Sequence, residues 1–473
     1  MQKVLITLLF IIVFFMNFLP VRDTDFGWHY RCGVDLLNGQ PCLSNTYSYF
    51  LPQYKAAYST FLFDGLTAVT YNSFGFTGLS ILHAIVLLLL ALLYFKYTHM
   101  SVVSVATLII ATFLSQSILN IGWRPQIVSV LFMFLTYLLL TKILKGHLKF
   151  LVILPVVTLV WVNTHMGFFT GLILVFFAIV DRFVRAVIYK DRSALKHSIL
   201  LATTGIAMLV VSGLNPFGYQ IYAEIRHHMT VQLNTMIAEW TAPAVLHIII
   251  ITTLLVVITF ITVLKRKISI FETLTLVFFA ILAITARRNL PLFYFISLAQ
   301  LSNLIPLRRI KKWAELDFLI FPFVATLSIA IMVIRISSTR NYYDTITKTC
   351  TNALYPCQAL KDYPEISGNV FAPYEGAGTI IWKRPDLKVF VDGRMPAWTD
   401  EKGESPYEVY LHIIQTQPGW NETLSKWNTD YLLIGKGTFL GLLLEQESQE
   451  FGWKKVYENE SEVIYEDVRE KKE

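Results

Sequence analysis

The chain has 473 residues, of which 55% are hydrophobic and 15% charged, and its mean hydropathy is +0.53. Soluble proteins carry about 25% charged residues. A chain this apolar cannot hide its surface in one water-soluble core, which excludes a disordered protein and a compact cytosolic enzyme. Lys and Arg number 40 against 33 Asp and Glu, a net charge of +7. The excess sits mostly in short loops between apolar runs, so it is a topology signal and not a nucleic-acid footprint.

A membrane crossing needs roughly 20 mainly apolar residues to span about 30 Å of hydrocarbon. Eleven runs are predicted spans: 3–20, 78–96, 102–119, 125–144, 149–164, 167–187, 197–214, 245–264, 270–286, 289–307 and 314–336. Lipid leaves no partner for an open backbone, so all are predicted helices. The runs 3–20 and 125–144 are the clearest, whereas 149–164 and 289–307 contain prolines. After the first run comes Phe18-Leu-Pro-Val-Arg22, with no small-x-small cleavage site. It therefore reads as a retained helix and not a signal peptide.

Alternate connections hold very different numbers of Lys and Arg. One set, from Lys3 and Lys96 through Arg182 and Lys265 to Lys312, holds 17; the opposite set (Arg22, Arg31, Lys55, Arg124, Arg226, Arg287, Arg288) holds 7 in far longer loops. The positive-inside rule makes the first set cytoplasmic. The N-terminus is then predicted inside and, after an odd number of spans, the C-terminus outside. The four cysteines, Cys32, Cys42, Cys350 and Cys357, all fall on the outer side. Two local disulfides, Cys32–Cys42 and Cys350–Cys357, suit that oxidising compartment.

The predicted organisation is a membrane domain over 1–336, with a long first external loop at 21–77, and an extracytoplasmic domain over 337–473. In the latter, charges become frequent. Strands are predicted at Asn369–Ala372, Lys388–Asp392, Asp430–Ile434, Trp453–Tyr457 and Glu462–Glu466, with helices near 373–383, 406–427 and 438–451. This alternation is that of a small α/β domain.

Unusual polar residues collect in the outward loops. They are Asp23-Thr-Asp25-Phe-Gly-Trp-His29, Trp123-Arg124-Pro125-Gln126, Trp161-Val-Asn163-Thr-His165, Asn215-Pro-Phe-Gly218 with Glu239-Trp240, and Arg287-Arg288-Asn289. Ionisable groups at span ends cost free energy unless paired or wetted. Five loops supplying them on one face point to a single external cavity. Two carboxylates two residues apart, Asp23 and Asp25, suit a general base or a divalent cation such as Mg or Mn, the one cofactor the pattern allows. The external arginines Arg124, Arg287 and Arg288 break the positive-inside trend and suit a phosphate. His29, Asn163, His165 and Glu239 complete the candidate substrate-binding set. Glu224 and His228, four apart on an amphipathic stretch, share a helix face; a solvated face is the reading taken over a metal pair. Asp392-Gly-Arg394 ends a strand and either faces the cavity or forms a turn with a local ion pair. Tyr374-Glu375-Gly-Ala-Gly378 is glycine-rich but lacks a dinucleotide fingerprint.

A first helix, an aspartate pair opening a long external loop, many further spans and a C-terminal external domain resemble the GT-C superfamily of membrane glycosyltransferases. That superfamily includes protein O-mannosyltransferases, aminoarabinose transferases and oligosaccharyltransferase catalytic subunits. More narrowly, the chain is similar to uncharacterised prokaryotic multi-pass proteins of glycosyltransferase type. The matches are Asp23-x-Asp25-x-x-Trp28-His29, Gly33, Gly39-x-Pro41, Ser48, Arg124-Pro125, Trp161-x-Asn163-x-His165-x-Gly167, Asn215-Pro216-x-Gly218, Glu239-Trp240, Arg287-Arg288-Asn289 and Val389-Phe-x-Asp392-Gly-Arg394. The resemblance implies a polyprenyl-phosphate-linked sugar donor, inverting transfer on the outer face of the cell (plasma or inner) membrane, and Asp25 or Asp23 as general base. It leaves the acceptor open among glycan, lipid and protein. The chain departs from the oligosaccharyltransferase pattern, having no Trp-Trp-Asp tripeptide, and from the mannosyltransferases, having Asp-Thr-Asp in place of adjacent acids. Transfer of a large oligosaccharide to asparagine and metal dependence are therefore not carried over.

Two other readings compete with a glycosyltransferase. A transporter or flippase of lipid-linked sugars would place ionisable groups near the midplane and show repeated halves, whereas the mid-span positions are apolar. A non-catalytic assembly protein would not need the loop-1 acids.

Overall fold

The computed structural model describes residues 2–231, 237–305, 313–349, 357–400 and 403–469. The first part is helical: α1 (Gln2–Met16), α2 (Phe26–Leu37), α3 (Phe61–Thr98), α4 (Val102–Leu114), α5 (Gln116–Leu119), α6 (Pro125–Leu144), α7 (Ile153–Val162), α8 (Phe169–Tyr189), α9 (Arg192–Ser212), α10 (Gln220–Thr230), α11 (Val245–Leu264), α12 (Ile270–Thr285), α13 (Leu290–Leu304) and α14 (Trp313–Asp344). Each of the eleven apolar runs falls on helix. Among the described residues, five helical segments are long and apolar enough to cross a membrane: Phe61–Thr98, Pro125–Leu144, Arg192–Ser212, Ala238–Leu264 and Phe321–Thr347. The first run is shorter than predicted, because α1 stops at Met16 and the chain turns out of the helix at Asn17. The last helix runs past 336 to Asp344, where the Tyr343 hydroxyl bonds Ser80 Oγ (2.6 Å) and the Val21 amide (2.9 Å), tying α14 to α3 and the end of α1.

The bundle core is aromatic and aliphatic, with Tyr94, Phe134, Tyr137, Phe271, Phe279 and Tyr294 all fully buried. The outer face of α11 instead leaves Val245, Leu246, Val256 and Phe260 more than 60% exposed. An apolar helix face open to its surroundings is what lipid tails cover. The chain is a multi-pass membrane protein.

Residues 21–77, predicted as a loop, hold α2 and the N-terminal part of α3, which bends at Gly75 (φ 61°). The two helices cross so closely that a Cβ on Gly33 would lie 2.0 Å from the Asp64 carbonyl oxygen.

The C-terminal part is α/β: α15 (Cys357–Asp362), β1 (Asn369–Phe371), α16 (Ala377–Lys383), β2 (Lys388–Val389), α17 (Pro406–Ile414), α18 (Trp420–Lys426), β3 (Tyr431–Gly435), α19 (Phe439–Glu447), β4 (Trp453–Glu458) and β5 (Glu462–Asp467). The sheet order is β2-β1-β3-β5-β4, parallel through β3 and antiparallel beyond. All five predicted strands are present. The predicted helix at 406–427 is two helices: the first stops at Ile414, the chain turns left-handed at Thr416 (φ 53°), and Gly419 (φ 87°) caps the start of the second. The strand predicted to 392 ends at Val389, where the chain enters the Asp392–Arg394 turn.

The sheet edge is not open. Residues 47–49 lie along β2, with the Val389 amide donating to Tyr47 O (3.0 Å) and the Tyr49 amide to Val389 O (3.1 Å). Phe50, Ala56 and Tyr47 are buried in the hydrophobic cores of the C-terminal domain. A disulfide joins Cys32 to Cys42 with Cα atoms 5.5 Å apart, closing α2 onto this segment. The Cys350–Cys357 pairing falls on residues that include undescribed ones.

Candidate active site

Loops at one end of the bundle and the underside of the C-terminal domain enclose a cavity of about 940 Å³. Its lining includes Asp23, Asp25, His29, Arg124, His165, Glu239 and Arg288 from the membrane part, and Tyr374, Glu375, Gly393 and Tyr407 from the C-terminal domain. Residues more than 380 positions apart therefore share one pocket.

Each polar group is placed by local backbone rules. Asp25 is the N-cap of α2, its carbonyl accepting from the His29 amide (3.2 Å), while its own amide donates to Asp23 Oδ1 (3.2 Å). Arg124 stands before Pro125, the first residue of α6. A residue before proline is pushed to extended backbone, as observed here (φ −156°, ψ 158°). Glu239 sits in the short turn Ala238–Trp240, and the Arg287 amide donates to Thr241 O (2.9 Å), clipping the turn Arg287–Asn289 beside it.

Arg124 is the hub of the charges. Buried to 5% exposure, it reaches Asp23 (Nε to Oδ2, 3.2 Å) and Glu239 (Nη1 to Oε1, 2.5 Å). Burial works against its charge, but Asp23 and Glu239 more than offset this and hold it protonated. Arg288 lies over the Trp240 ring at 4.3 Å. Among the described residues it has no carboxylate within salt-bridge distance. Cation–π contact leaves a guanidinium's N–H groups free to bind an anion.

Asp25 is the unusual acid. Burial, and then the neighbouring Asp23 charge, push its carboxyl up to about 7, against the smaller opposing pull of Arg124 and His29. A carboxyl poised near neutrality can take a proton from a substrate and release it again. His165 accepts on Nδ1 from the Gly167 amide (3.0 Å) and pairs there with Ser129 Oγ (2.7 Å). Burial and the cations Arg288 and Arg124 lower its pKa well below the ordinary range, so it is neutral, with its proton on Nε2 as a donor.

Not every predicted site residue meets the cavity. Asn163 does not line it: its side-chain amide donates to Leu159 O (2.9 Å) and Leu214 O (3.0 Å), bracing two loops. Arg287 is also outside, because neighbouring residues in a tight turn project in different directions and Arg288 takes the inward one. The solvated-face reading of Glu224 and His228 is overturned. Both are largely buried, paired to each other at 3.2 Å, and His228 reaches Tyr58 OH (3.4 Å) at the cavity wall. Asp392–Arg394 makes the local ion pair (2.7 Å) and also walls the cavity. Arg394 donates to Asn45 Oδ1 (3.1 Å), and a Cβ on Gly393 would lie 1.7 Å from Asp25 Oδ1.

Three residues had no assigned role. Asp64 accepts from Thr60 (2.8 Å) and pairs with His29 Nδ1 (2.6 Å), fixing the imidazole stacked on Trp28 (3.6 Å between centroids). Tyr374 and Gln126 line the cavity, and Gln126 Oε1 is buried without a hydrogen-bond partner among the described residues. Of these, Gln126 and Tyr374 stood in motifs of the sequence, whereas Asp64 did not.

Among the described residues no three His, Cys, Asp or Glu side chains gather as a metal-ligand set. Asp23 and Asp25 are the nearest approach to one, and the Arg124 guanidinium already lies on Asp23. These residues are a poor fit to a resident divalent cation.

No protein-family model matches the chain, and no curated protein matches it. Its fold is similar to that of the solved oligosaccharyltransferase of Archaeoglobus fulgidus. The structure of that protein, AglB, with an inhibitory peptide and a dolichol-phosphate aligns at a TM-score of 0.56 and 13% identity, over 98% of this chain and 74% of that one. The structure tethered to an acceptor peptide with an NVT sequon gives 0.57 and 13%, over 99% and 74%. A complex with Zn and sulfate gives 0.51 and 14%, over 98% and 73%. At such identity the likeness establishes a shared fold.

Proposed function

We propose that the protein is a membrane glycosyltransferase that moves a sugar from a polyprenyl-phosphate-linked donor to an acceptor on the extracytoplasmic face, with Asp25 as general base. The observation carrying this reading is one cavity that holds a carboxyl poised near pH 7 together with the buried Arg124 and the half-buried Arg288. In this reading the eleven apolar helices cross the membrane, the N-terminus is cytoplasmic and the C-terminal domain extracytoplasmic. The donor is hexosyl or pentosyl.

The chemistry follows from the residues. The donor phosphate sits on Arg288 and Arg124, which stabilise the charge that grows there as the bond breaks. Asp25 takes the proton of the acceptor hydroxyl. The freed oxygen attacks the anomeric carbon, and the carbon–oxygen bond to phosphate breaks. The lipid phosphate leaves with the electron pair, and the configuration inverts. Neutral His165 and the Gln126 carbonyl supply a donor and an acceptor for sugar hydroxyls. Ile173, Phe278, Leu282 and Leu292 line the same cavity and give the lipid's first isoprene units an apolar path. The neighbour's dolichol-phosphate fits this class of donor.

Purified protein in liposomes with a panel of polyprenyl-phosphate sugars tests the reading. Wild type consumes one donor, and Asp25→Asn loses on the order of 10²- to 10⁴-fold in rate, the usual worth of a general base. Full activity in Asp25→Asn removes the assignment of the base. Consumption of no donor by wild type removes the assignment of the enzyme.

A further inference from the structure

The two walls of the cavity differ in charge. The helical wall brings Arg124 and Arg288, whereas the described C-terminal residues lining the pocket include no cation and one carboxylate, Glu375, which is exposed. Arg394, next to the lining residue Gly393, donates through Nε and Nη2 to Asp392 and through Nη2 to Asn45. Beside Glu375 stand Tyr374 and Tyr407, with ring centroids 4.9 Å apart and planes at 75°, an aromatic corner. Tyr374 lines the same cavity as Asp25, and its phenol is held well above its usual range by burial and next by the charge of Asp25.

From this geometry we infer that the Tyr374–Tyr407 corner with Glu375 is the acceptor subsite and that it takes a neutral sugar ring. This rests on the glycosyltransferase reading. In an inverting displacement the nucleophile approaches opposite the leaving phosphate. With the phosphate on the arginine wall, the acceptor lies on the C-terminal wall, with its hydroxyl at Asp25. Aromatic faces stack on the C–H face of a pyranose, and a carboxylate accepts from its hydroxyl groups. An anionic acceptor would meet Glu375 with no cation to balance it. An extended peptide would seek a free strand edge, but β2, the edge beside the Asp392–Arg394 turn, is already covered by Tyr47–Tyr49.

The test is saturation-transfer NMR on the full chain in nanodiscs with the methyl glycosides of glucose, mannose, galactose and N-acetylglucosamine, and with a Ser/Thr hexapeptide. No donor is present, so binding is read apart from turnover and from the role of Asp25. At least one glycoside should bind, with the strongest signals from ring C–H protons of one face. Tyr374→Ala and Tyr407→Ala should weaken binding tenfold or more, with the Phe variants within threefold of wild type. Glu375→Gln, at an exposed position that does not threaten folding, should weaken it severalfold. Binding of no glycoside by wild type, glycoside binding indifferent to Glu375→Gln and to loss of both rings, or the peptide alone binding at the corner would each overturn the proposal.

Discussion

The helical wall of the cavity and the wall supplied by the C-terminal domain are built on opposite principles. The helical wall holds buried charge in a network, Asp23–Arg124–Glu239, with Arg288 stacked on Trp240 beside it. The C-terminal wall spends its one nearby cation internally, on Asp392, and shows the cavity backbone, aromatic rings and a single exposed acid. A network of charge can bind and stabilise an anion, whereas a neutral aromatic wall can position an uncharged ring without competing for that anion. Asp25 stands between them, with Asp23 and Arg124 on one side and Gly393 on the other.

The comparison can be broken from either wall. The largest expected effect is on the charged side: Arg124→Leu should lower transfer by about 10²- to 10³-fold, the worth of a preorganised charge at the leaving group. Arg124→Lys should restore only part, since ammonium cannot span Asp23 and Glu239 as the fork does. On the other wall, Arg394→Met strands the fully buried Asp392 carboxylate. Loss of one partner of a buried pair costs about 3–5 kcal/mol, so chemical unfolding in detergent should show the C-terminal domain loosening first. Gly393→Ala separates position from stability. The atoms nearest its Cβ are the three of the Asp25 carboxyl group, a side-chain end and not backbone. Stability should hold, while transfer falls by on the order of 10²-fold, as misplacement by about 1 Å does.

The pH dependence follows from Asp25. The base is the ionised form, so with a carboxyl near 7 the rate should rise with pH up to about that value and fall tenfold per unit below it. Stability runs the other way. The folded state holds this proton to a higher pH than the unfolded chain, so stability declines as pH rises from about 4 to about 7. Asp25→Asn should therefore melt higher than wild type at pH 8, although it is inactive. The smallest effect is expected at Arg287→Ala, under threefold on transfer, because that side chain is outside the cavity.

Much of this was legible in sequence, and the particular misses show why the rest was not. The hydropathy runs fall on helices, and the alternation after 337 falls on the strands, because burial along a single element writes itself into local periodicity. The residues of the cavity were also marked one by one, since ionisable groups beside apolar runs are costly and stand out. The sequence could not separate Arg288 from Arg287, or tell that Asn163 braces loops while His165 faces the pocket. Those outcomes depend on which way one turn rotates.

The linear chain by itself determined that this is a polytopic membrane protein with an α/β appendage and acids, imidazoles and guanidinium groups at one end of its helices. Tertiary structure alone decided that the appendage walls one side of the pocket. Tyr47–Tyr49 completes the edge of a sheet 340 residues away, Gly27 and Gly378 let α2 and α16 touch backbone to backbone, and Gly393 rests on Asp25. Long-range contact of this kind leaves no periodic trace, because it is set by the shape and register of two separately folded surfaces and not by any pattern along either one.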